Sequence, residues 1–240
     1  MPNNQPPEKR LEDPDLLQVH SIFKTIQGEG PFAGTPAIFI RLAGCSLACP
    51  NCDTDYTSSR RYMRVDKILE EVLKLENKAG FIVITGGEPF RQDIKDLMWS
   101  LFQAGYFVQV ETNGTIKPPL EPPLGFFYSK NISSRHGIYV VCSPKTPSIN
   151  PVYNKISCAF KYVMGYSESE HDGLPFNVLG LGLTKQVARP DKNFTGLIYL
   201  QPEDLKDPIQ NELNQKACLE SCLKHGYIFC LQIHKYIGVE

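Results

Sequence analysis

Short apolar segments alternate with stretches of helical periodicity along most of the chain. Residues 81–84 (FIVI) and 138–141 (IYVV) are apolar on both faces, which is typical of strands in a parallel sheet covered on both sides. Further segments rich in Ile, Val, Phe and Tyr also predict strands. The predicted strands cover residues 16–23, 36–43, 81–85, 106–111, 138–142, 158–164, 195–200 and 227–233.

Three segments between these strands carry apolar residues at helical spacing. They cover residues 65–75, 94–102 and 207–225, and the last has Pro in its first turn and Gly directly after its end. Alternating helices and strands predict an α/β fold. The pattern alone leaves open a complete barrel, a partial β/α barrel and a doubly wound sheet.

The composition suits one folded domain preceded by a polar segment. Hydrophobic residues make up 42% of the chain and charged residues 21%, which allows one sizeable core. We predict a polar N-terminal extension at 1–15 and a single domain at 16–240. Two regions near 117–137 and 165–191 interrupt the alternation of strands and helices. We expect both to be insertions or lids at the rim of the fold.

Charge and hydropathy exclude several classes of partner. The net charge is -1, so the chain lacks the basic excess with which proteins bind a nucleic-acid backbone. No apolar run approaches the roughly 18 residues of a membrane span, and the start shows no signal-peptide pattern. We therefore expect no direct nucleic-acid partner, no membrane association and a cytoplasmic location. In a reducing compartment, clustered cysteines indicate metal or redox chemistry.

Three of the eight cysteines lie within one short loop directly after the predicted strand 36–43. They are Cys45, Cys49 and Cys52. Thiolates select zinc or iron–sulfur centres, and a structural zinc site closes with four ligands, so three leave a position open. A thiol-redox pair of Cys49 and Cys52 is an alternative that leaves Cys45 unexplained. The other five cysteines are expected to be small buried side chains.

A second candidate motif, residues 85–89 (TGGEP), follows the predicted strand 81–85. Its two glycines allow the backbone to approach a ligand closely, and the Glu88 carboxylate suits a ligand ammonium group. Alone, the segment is equally typical of a turn at the end of a strand. Its place one helix and one strand after the cysteine loop favours a binding site.

The cysteine triplet and the TGGEP segment together resemble the radical S-adenosylmethionine (SAM) superfamily. There, three cysteines hold a 4Fe-4S cluster whose open iron chelates SAM. Residues 25–30 (TIQGEG), 36–45 (PAIFIRLAGC) and 52–54 (CDT) resemble the 7-carboxy-7-deazaguanine synthase family more specifically. Shorter matches lie at 111–114, 142–145, 161–162, 199–202 and 231–235.

That resemblance implies a fold, an activity and partners. It implies a partial β/α barrel and a lyase of queuosine and deazapurine biosynthesis. This lyase would convert 6-carboxy-5,6,7,8-tetrahydropterin to 7-carboxy-7-deazaguanine with loss of ammonia. A homodimer and an electron donor such as a flavodoxin are implied as well.

The resemblance also implies roles for individual residues. The implied cluster ligands are Cys45, Cys49 and Cys52. The implied SAM contacts are Asn51, Cys52, Asp53, Gly87, Ser143, Pro144, Lys145 and Gln201. The implied substrate contacts are Ile26, Gln27, Gly28, Glu29, Arg41, Thr85 and Glu240. Thr54 would bind a Mg²⁺ ion that touches the substrate carboxylate.

The residue types suit these roles, and two of them have simpler explanations. Arg41 offers a planar fork to a carboxylate, but an Arg on an apolar strand also suits a buried ion pair. Thr54 has a hard oxygen of the kind Mg²⁺ prefers, but Thr is also common in turns.

Two other functions stay open at this point. A radical SAM activating enzyme, which abstracts hydrogen from a protein glycine, shares the cysteine spacing but lacks the segments that match 25–30 and 52–54. A non-enzymatic zinc-binding interaction module would need a fourth ligand.

Overall fold

The computed structural model describes residues 5–11, 13 and 15–239. Its strands are β1 Leu17–Ile26, β2 Pro36–Leu42, β3 Arg61–Met63, β4 Phe81–Gly86, β5 Phe107–Thr112, β6 Ile138–Cys142, β7 Ser157–Met164, β8 Leu197–Pro202 and β9 Ile228–Phe229. Its α-helices are α1 Val65–Lys74, α2 Lys95–Gln103, α3 Tyr153–Ile156, α4 Pro208–His225 and α5 Ile233–Ile237.

All described strands belong to one sheet in the order β3-β1-β2-β4-β5-β6-β7-β8-β9. From β2 onward the neighbours are parallel and follow chain order, as in a barrel, without the reversal of order that marks a doubly wound sheet. β1 pairs antiparallel with β2 and β3. Since β3 and β9 form the two edges, the described sheet is not closed, and the predicted α/β partial barrel is confirmed.

Each parallel strand has one face toward the helices and one face toward the inside of the sheet, because side chains alternate along a strand. Outward side chains such as Ile82 and Val108 form the larger core with buried residues of α1 and α2. The inner face begins with an aromatic layer. Phe32 packs against Phe81, Phe107 and Tyr139 at centroid distances of 5.1, 5.4 and 5.0 Å. The polar inner residues therefore lie near the carboxyl ends of the strands.

The three long predicted helices are confirmed to within one residue at each end. The bounds of α4 can be predicted from sequence because one residue at each end determines them. The carboxylate of Asp207 accepts hydrogen bonds from the backbone amides of Ile209 (2.9 Å) and Gln210 (3.2 Å). Gly226 ends the helix with φ 78°, a conformation that favours glycine.

The predicted strand at 227–233 is wrong in its second half. β9 contains only Ile228–Phe229, and α5 begins at Ile233. The chain leaves the edge of the sheet here, and the amide of Gln232 reaches two carboxylates of the inner face. β3 was not predicted, since its three residues are too few for an alternating pattern.

The regions 117–137 and 165–191 contain no described α-helix or strand longer than a single bridge residue, apart from a 3₁₀ turn at Leu124–Phe126. The second region is nonetheless anchored, because Leu174, Val178 and Val187 are buried in the larger core. The division of the chain at residue 16 and the description of these regions as insertions stay predictions. Within the described residues, no helix combines the length and apolar character needed to span a bilayer.

Candidate active site

A cavity of about 380 Å³ lies at the carboxyl ends of the parallel strands. Its lining includes four acidic side chains and four Lys or Arg side chains, so it offers both signs of charge to a ligand. β/α folds place their sites at this end of the strands. The predicted site residues that line it are Ile26, Gln27, Glu29, Arg41, Asn51, Cys52, Asp53, Thr54, Thr85, Gly87, Ser143, Lys145 and Gln201.

Other predicted site residues lie elsewhere. Gly28 packs against α5, where its carbonyl accepts from the amide of Ile233 at 3.1 Å and a side chain would overlap the ring of His234. Glu240 lies outside the described residues. The predicted residues absent from the lining are Gly28, Cys45, Cys49 and Pro144.

Glu29 and Lys161 form a buried ion pair in the cavity wall. Glu29 Oε1 also accepts from Gln232 Nε2 at 2.7 Å, and that amide donates to Asp53 Oδ2 at 2.9 Å. Burial raises the pKa of the Glu29 carboxyl, but Lys161 and Gln232 outweigh burial and hold this pKa below its ordinary value. Burial lowers the pKa of Lys161, but Glu29 and Glu111 outweigh it and hold that pKa above its usual range. Both partners are therefore charged at neutral pH.

Glu111, at the end of β5, joins two predicted substrate residues that are far apart in sequence. Its Oε2 accepts from Thr85 Oγ1 at 3.0 Å, and its Oε1 accepts from Gln27 Nε2 at 3.0 Å. Gln109 Nε2 also donates to Oε1 at 2.9 Å. No role was predicted for Glu111 or for Lys161. The sequence feature that could indicate these two residues is a charged side chain in an otherwise apolar strand, because such a side chain needs a partner when it is buried.

A second set of charges in the cavity lining is Lys235 with Asp53 and Asp204. Lys235 Nζ donates to Asp53 Oδ2 at 2.9 Å and to Asp204 Oδ2 at 2.7 Å. Burial raises the pKa of Asp53, but Lys235 and Gln232 outweigh it and hold the pKa well below its ordinary value. Lys235 lies in the matched segment 231–235, which had no role assigned. It joins α5 to the loop that carries Cys52.

The three predicted ligand cysteines lie on one loop beside the cavity, and none forms a disulfide. Cys45 and Cys49 are buried, which raises the pKa of their thiols to about 12 and about 11. Cys52 lines the cavity. Across the described part of the chain, no three His, Cys, Asp or Glu side chains are gathered closely enough to hold a metal ion. The assignment of these cysteines as ligands stays a prediction.

The TGGEP segment packs directly against the cysteine loop. A side chain on Gly87 would overlap the carbonyl oxygen of Gly44 and lie 2.7 Å from Cys45 Cβ, so only glycine permits this approach. The expectation that Glu88 faces a ligand ammonium group is wrong. Its carboxylate is fully buried and accepts from Thr112 Oγ1 and the Asn113 amide, each at 2.8 Å. Glu88 thus joins β4 to β5 rather than contacting the cavity.

The region 165–191 contributes Leu179 to the cavity lining. The carbonyl of Leu179 accepts from the Asn51 amide at 3.1 Å. The Asn51 side chain donates to Glu203 Oε1 at 2.8 Å, just beyond the end of β8. The position of Asn51 is therefore fixed from two sides.

Comparisons with known proteins agree on one family. The family model of the Radical SAM superfamily matches residues 39–121. The 7-carboxy-7-deazaguanine synthase of Rhodospirillum rubrum is 34% identical over 235 residues, which cover 95% of this chain and 94% of that protein. The chain belongs to the 7-carboxy-7-deazaguanine synthase family. The synthase of Rickettsia prowazekii is also 34% identical, over 241 residues covering 95% of this chain and 91% of its own length.

The fold agrees with this family. The crystal structure of QueE from Escherichia coli aligns with a TM-score of 0.64 and 24% identity, and covers 90% of this chain and 93% of its own. The chain is thus a radical SAM enzyme on a partial β/α barrel, and SAM and a 4Fe-4S cluster are the cofactors of its superfamily. A glycine-radical activating enzyme and a zinc-binding module are set aside as functions.

The residues present fit these two cofactors. Three thiols on one loop, none of which forms a disulfide, are the donor set that the 4Fe-4S cluster of this superfamily uses. The cavity also contains an unsatisfied polar atom. Gln201 is 5% exposed, and its Oε1 has no hydrogen-bond partner. Because buried polar atoms are normally paired, this oxygen indicates a place for a ligand donor.

Proposed function

We propose that this chain converts 6-carboxy-5,6,7,8-tetrahydropterin to 7-carboxy-7-deazaguanine with loss of ammonia, as a ring-contracting radical SAM lyase. Membership of the synthase family supports the reaction. The proposal is supported most directly by the cavity at the strand ends, because Cys52, Glu29 and Arg41 all line it. That arrangement brings predicted cluster, SAM and substrate residues to one space.

The cofactor side of the cavity is assigned to the cysteine loop and the strand ends around it. Bound there, the cluster and SAM would supply the radical that takes a hydrogen atom from the pterin. Lys145 lines the cavity and would pair with the SAM carboxylate, and its ammonium donates to Ser143 Oγ at 2.5 Å. The residues that would hold the cluster are Cys45, Cys49 and Cys52. Those that would contact SAM are Asn51, Cys52, Asp53, Gly87, Ser143, Pro144, Lys145 and Gln201.

The substrate side is assigned to the two carboxylate networks. Lys161 keeps Glu29 charged, so Glu29 can accept from the amino and ring N–H groups of a pterin. Arg41 would hold the substrate carboxylate, and its guanidinium is steadied by the ring of Phe23, 5.2 Å from Cζ. The remaining proposed contacts are Ile26, Gln27, Gly28 and Thr85. The contribution of these residues is to orient the substrate and to exclude water.

A Mg²⁺ ion at Thr54 is a further part of the proposal. Thr54 lines the cavity, and its hydroxyl donates to Asp53 Oδ1 at 3.4 Å, so a hydroxyl and a carboxylate oxygen lie together directly after Cys52 in the chain. Thr54→Val keeps the volume and removes the oxygen. We expect it, like chelation of divalent ions, to slow turnover much more than it changes iron content or SAM binding. Added Mg²⁺ should restore the chelated wild type and not the variant. Indifference to both changes would remove the metal from the proposal.

Three further expectations rest on the resemblance and on cofactor chemistry. We propose a homodimer, an electron donor such as a flavodoxin, and a cytoplasmic location, because a cluster that must be reduced needs a reducing compartment. Sedimentation measurements test the dimer.

Arg41→Ala tests the substrate assignment. Removing a partner from a buried charged group costs about 1–3 kcal/mol, so we expect carboxypterin turnover at sub-saturating substrate to fall about 5- to 150-fold. Iron content and SAM binding should stay near wild type. Arg61→Ala is the matched control, because Arg61 lies in β3, pairs with Glu71 and does not line the cavity. Unchanged turnover in Arg41→Ala would make Arg41 a structural residue.

A further inference from the structure

Residues 5–11, here called the N-terminal strap, lie along the cysteine loop at 44–57. The Glu8 amide donates to the carbonyl of Cys45 at 2.7 Å. The Gln5 amide nitrogen donates to the carbonyl of Thr54 at 3.0 Å. The strap therefore holds the loop at its first predicted cluster ligand and just beyond its third.

The Gln5 side-chain amide both donates a hydrogen bond to the loop and accepts hydrogen bonds from it. Besides donating to Thr54, its Oε1 accepts from the Tyr56 amide and from Thr57 Oγ1, each at 2.9 Å. Tyr56 is buried, and its carbonyl accepts from the Gly44 amide at 3.0 Å. Gln5 therefore holds the end of the loop at 54–57, and the hydrogen bond between Gly44 and Tyr56 connects that end to the start of the loop.

Glu8 and two arginines fix the strap in place. Arg60 forms a bidentate ion pair with the Glu8 carboxylate, in which Nη1 donates to Oε2 at 3.0 Å and Nη2 donates to Oε1 at 2.6 Å. Arg91 is 1% exposed and lies 3.4 Å from the same carboxylate. The hydrogen bond from Arg60 is the strongest influence on the pKa of Glu8 and holds it below the ordinary value. The carboxylate is thus charged and held between two cations.

Arg91 joins the strap to the start of the loop. Its guanidinium donates to the carbonyl of Lys9 at 3.0 Å and to the carbonyl of Ala43 at 2.9 Å. The Leu11 amide donates to the carbonyl of Arg91 at 2.8 Å. Gly44, with φ 81°, makes room for the guanidinium, because a side chain there would lie 2.6 Å from Arg91 Nη2.

We propose that the N-terminal strap is a positioning element for the cluster site, which restrains the backbone of the loop that carries the proposed cluster ligands. None of the described strap residues is part of the lining of the candidate active site. The strap acts through the backbone of Cys45 and Thr54, and a loop that is not held there loses the spacing of its ligands. This inference rests on the proposed cluster ligands, but its first test does not require a cluster.

That first test is amide hydrogen exchange on the cluster-free protein. Deletion of residues 1–11 should raise exchange of the amides at 44–57 at least about tenfold, equivalent to about 1.4 kcal/mol of local stability. Exchange in β5 to β7 should stay near wild type. Gln5→Ala and Glu8→Gln, which keep the chain length, should show the same local change to a smaller degree. Arg10→Ala is the matched control, because Arg10 is exposed in the same strap and has no described contact with the loop.

The second test is iron release from the anaerobically reconstituted protein to an excess of a coloured Fe²⁺ chelator. We expect the deletion to release iron at least about tenfold faster than wild type, and Arg10→Ala to match wild type. The proposal would be overturned if, in the deletion variant, both the rate of iron release and the amide exchange at 44–57 stayed within about twofold of wild type. An even rise of exchange across the sheet would also overturn it, because the strap would then stabilise only the fold as a whole. A wild type that binds no iron refutes the cluster assignment, whereas the exchange result still tests the strap.

Discussion

Lys161→Met tests the charge arrangement of the cavity wall, since it removes the charge of one partner of the Glu29–Lys161 pair and keeps an unbranched side chain only one heavy atom shorter. The two side chains are 11% and 14% exposed, so the variant leaves a carboxylate largely out of water. Removing one partner of a buried pair costs about 3–5 kcal/mol. Glu29 keeps its 2.7 Å hydrogen bond from Gln232 and borders a cavity that water can enter. We therefore expect the lower value, a loss of about 3 kcal/mol in the free energy of unfolding at neutral pH.

The loss should also depend on pH. In the wild type the pKa of Glu29 is held below its ordinary value, so the contribution of the pair is complete above the unfolded pKa and is lost as the pH falls through the folded pKa. In the variant, burial is no longer opposed by Lys161 and raises the pKa of Glu29. Protonation then relieves the penalty, so the deficit relative to wild type should be smaller at about pH 5 than at about pH 8.

Urea unfolding of the cluster-free protein, followed by circular dichroism at both pH values, measures this deficit. Lys74→Met is the matched control, because Lys74 is exposed on α1, and its stability should stay within about 0.5 kcal/mol of wild type. Adding Glu29→Gln to Lys161→Met removes the unpaired charge and should recover part of the loss. A deficit under about 1 kcal/mol, or one that is equal at both pH values, would refute the reasoning.

Three further predictions concern the cofactor side of the cavity. Cys45→Ala should abolish iron binding and SAM cleavage, whereas Cys222→Ala should retain both, as iron analysis and deoxyadenosine formation will show. Gly87→Ala should lower the free energy of unfolding by about 1–3 kcal/mol or more and weaken SAM binding, since its methyl group would overlap the carbonyl of Gly44; an unchanged melting temperature would contradict this. Gln201→Leu should stabilise the ligand-free chain by about 1 kcal/mol, because it removes an unsatisfied buried oxygen. The same variant should bind SAM more weakly, and calorimetry can measure both effects.

The parts of the fold that could be predicted are those set by local sequence. β4 and β6 are apolar on both faces because both faces are covered, and their parallel pairing followed from that. The bounds of α4 followed from Asp207 and Gly226, whose side chain and backbone conformation act within a few residues. In these elements, the residues that determine the structure lie within the element or directly beside it, so the sequence pattern predicts them.

The parts that could not be predicted depend on contacts between distant residues. Lys161 meets Glu29 across 132 positions, and nothing near either residue indicates the other. The orientation of Glu88 depends on Thr112 and Asn113 in the next strand, so its sequence position alone suggested the wrong face. The strap was predicted only as a polar extension, because its Pro-rich composition does not show that Glu8 meets two arginines.

The ring contraction is tested by anaerobic incubation of the protein with SAM, a reductant and 6-carboxy-5,6,7,8-tetrahydropterin, followed by mass analysis of the products. We expect the reconstituted wild type to form 7-carboxy-7-deazaguanine and ammonia in equal amounts, and Cys45→Ala to form neither. Cleavage of SAM to deoxyadenosine with the carboxypterin recovered unchanged, from protein that holds a complete cluster, would contradict the proposed ring contraction.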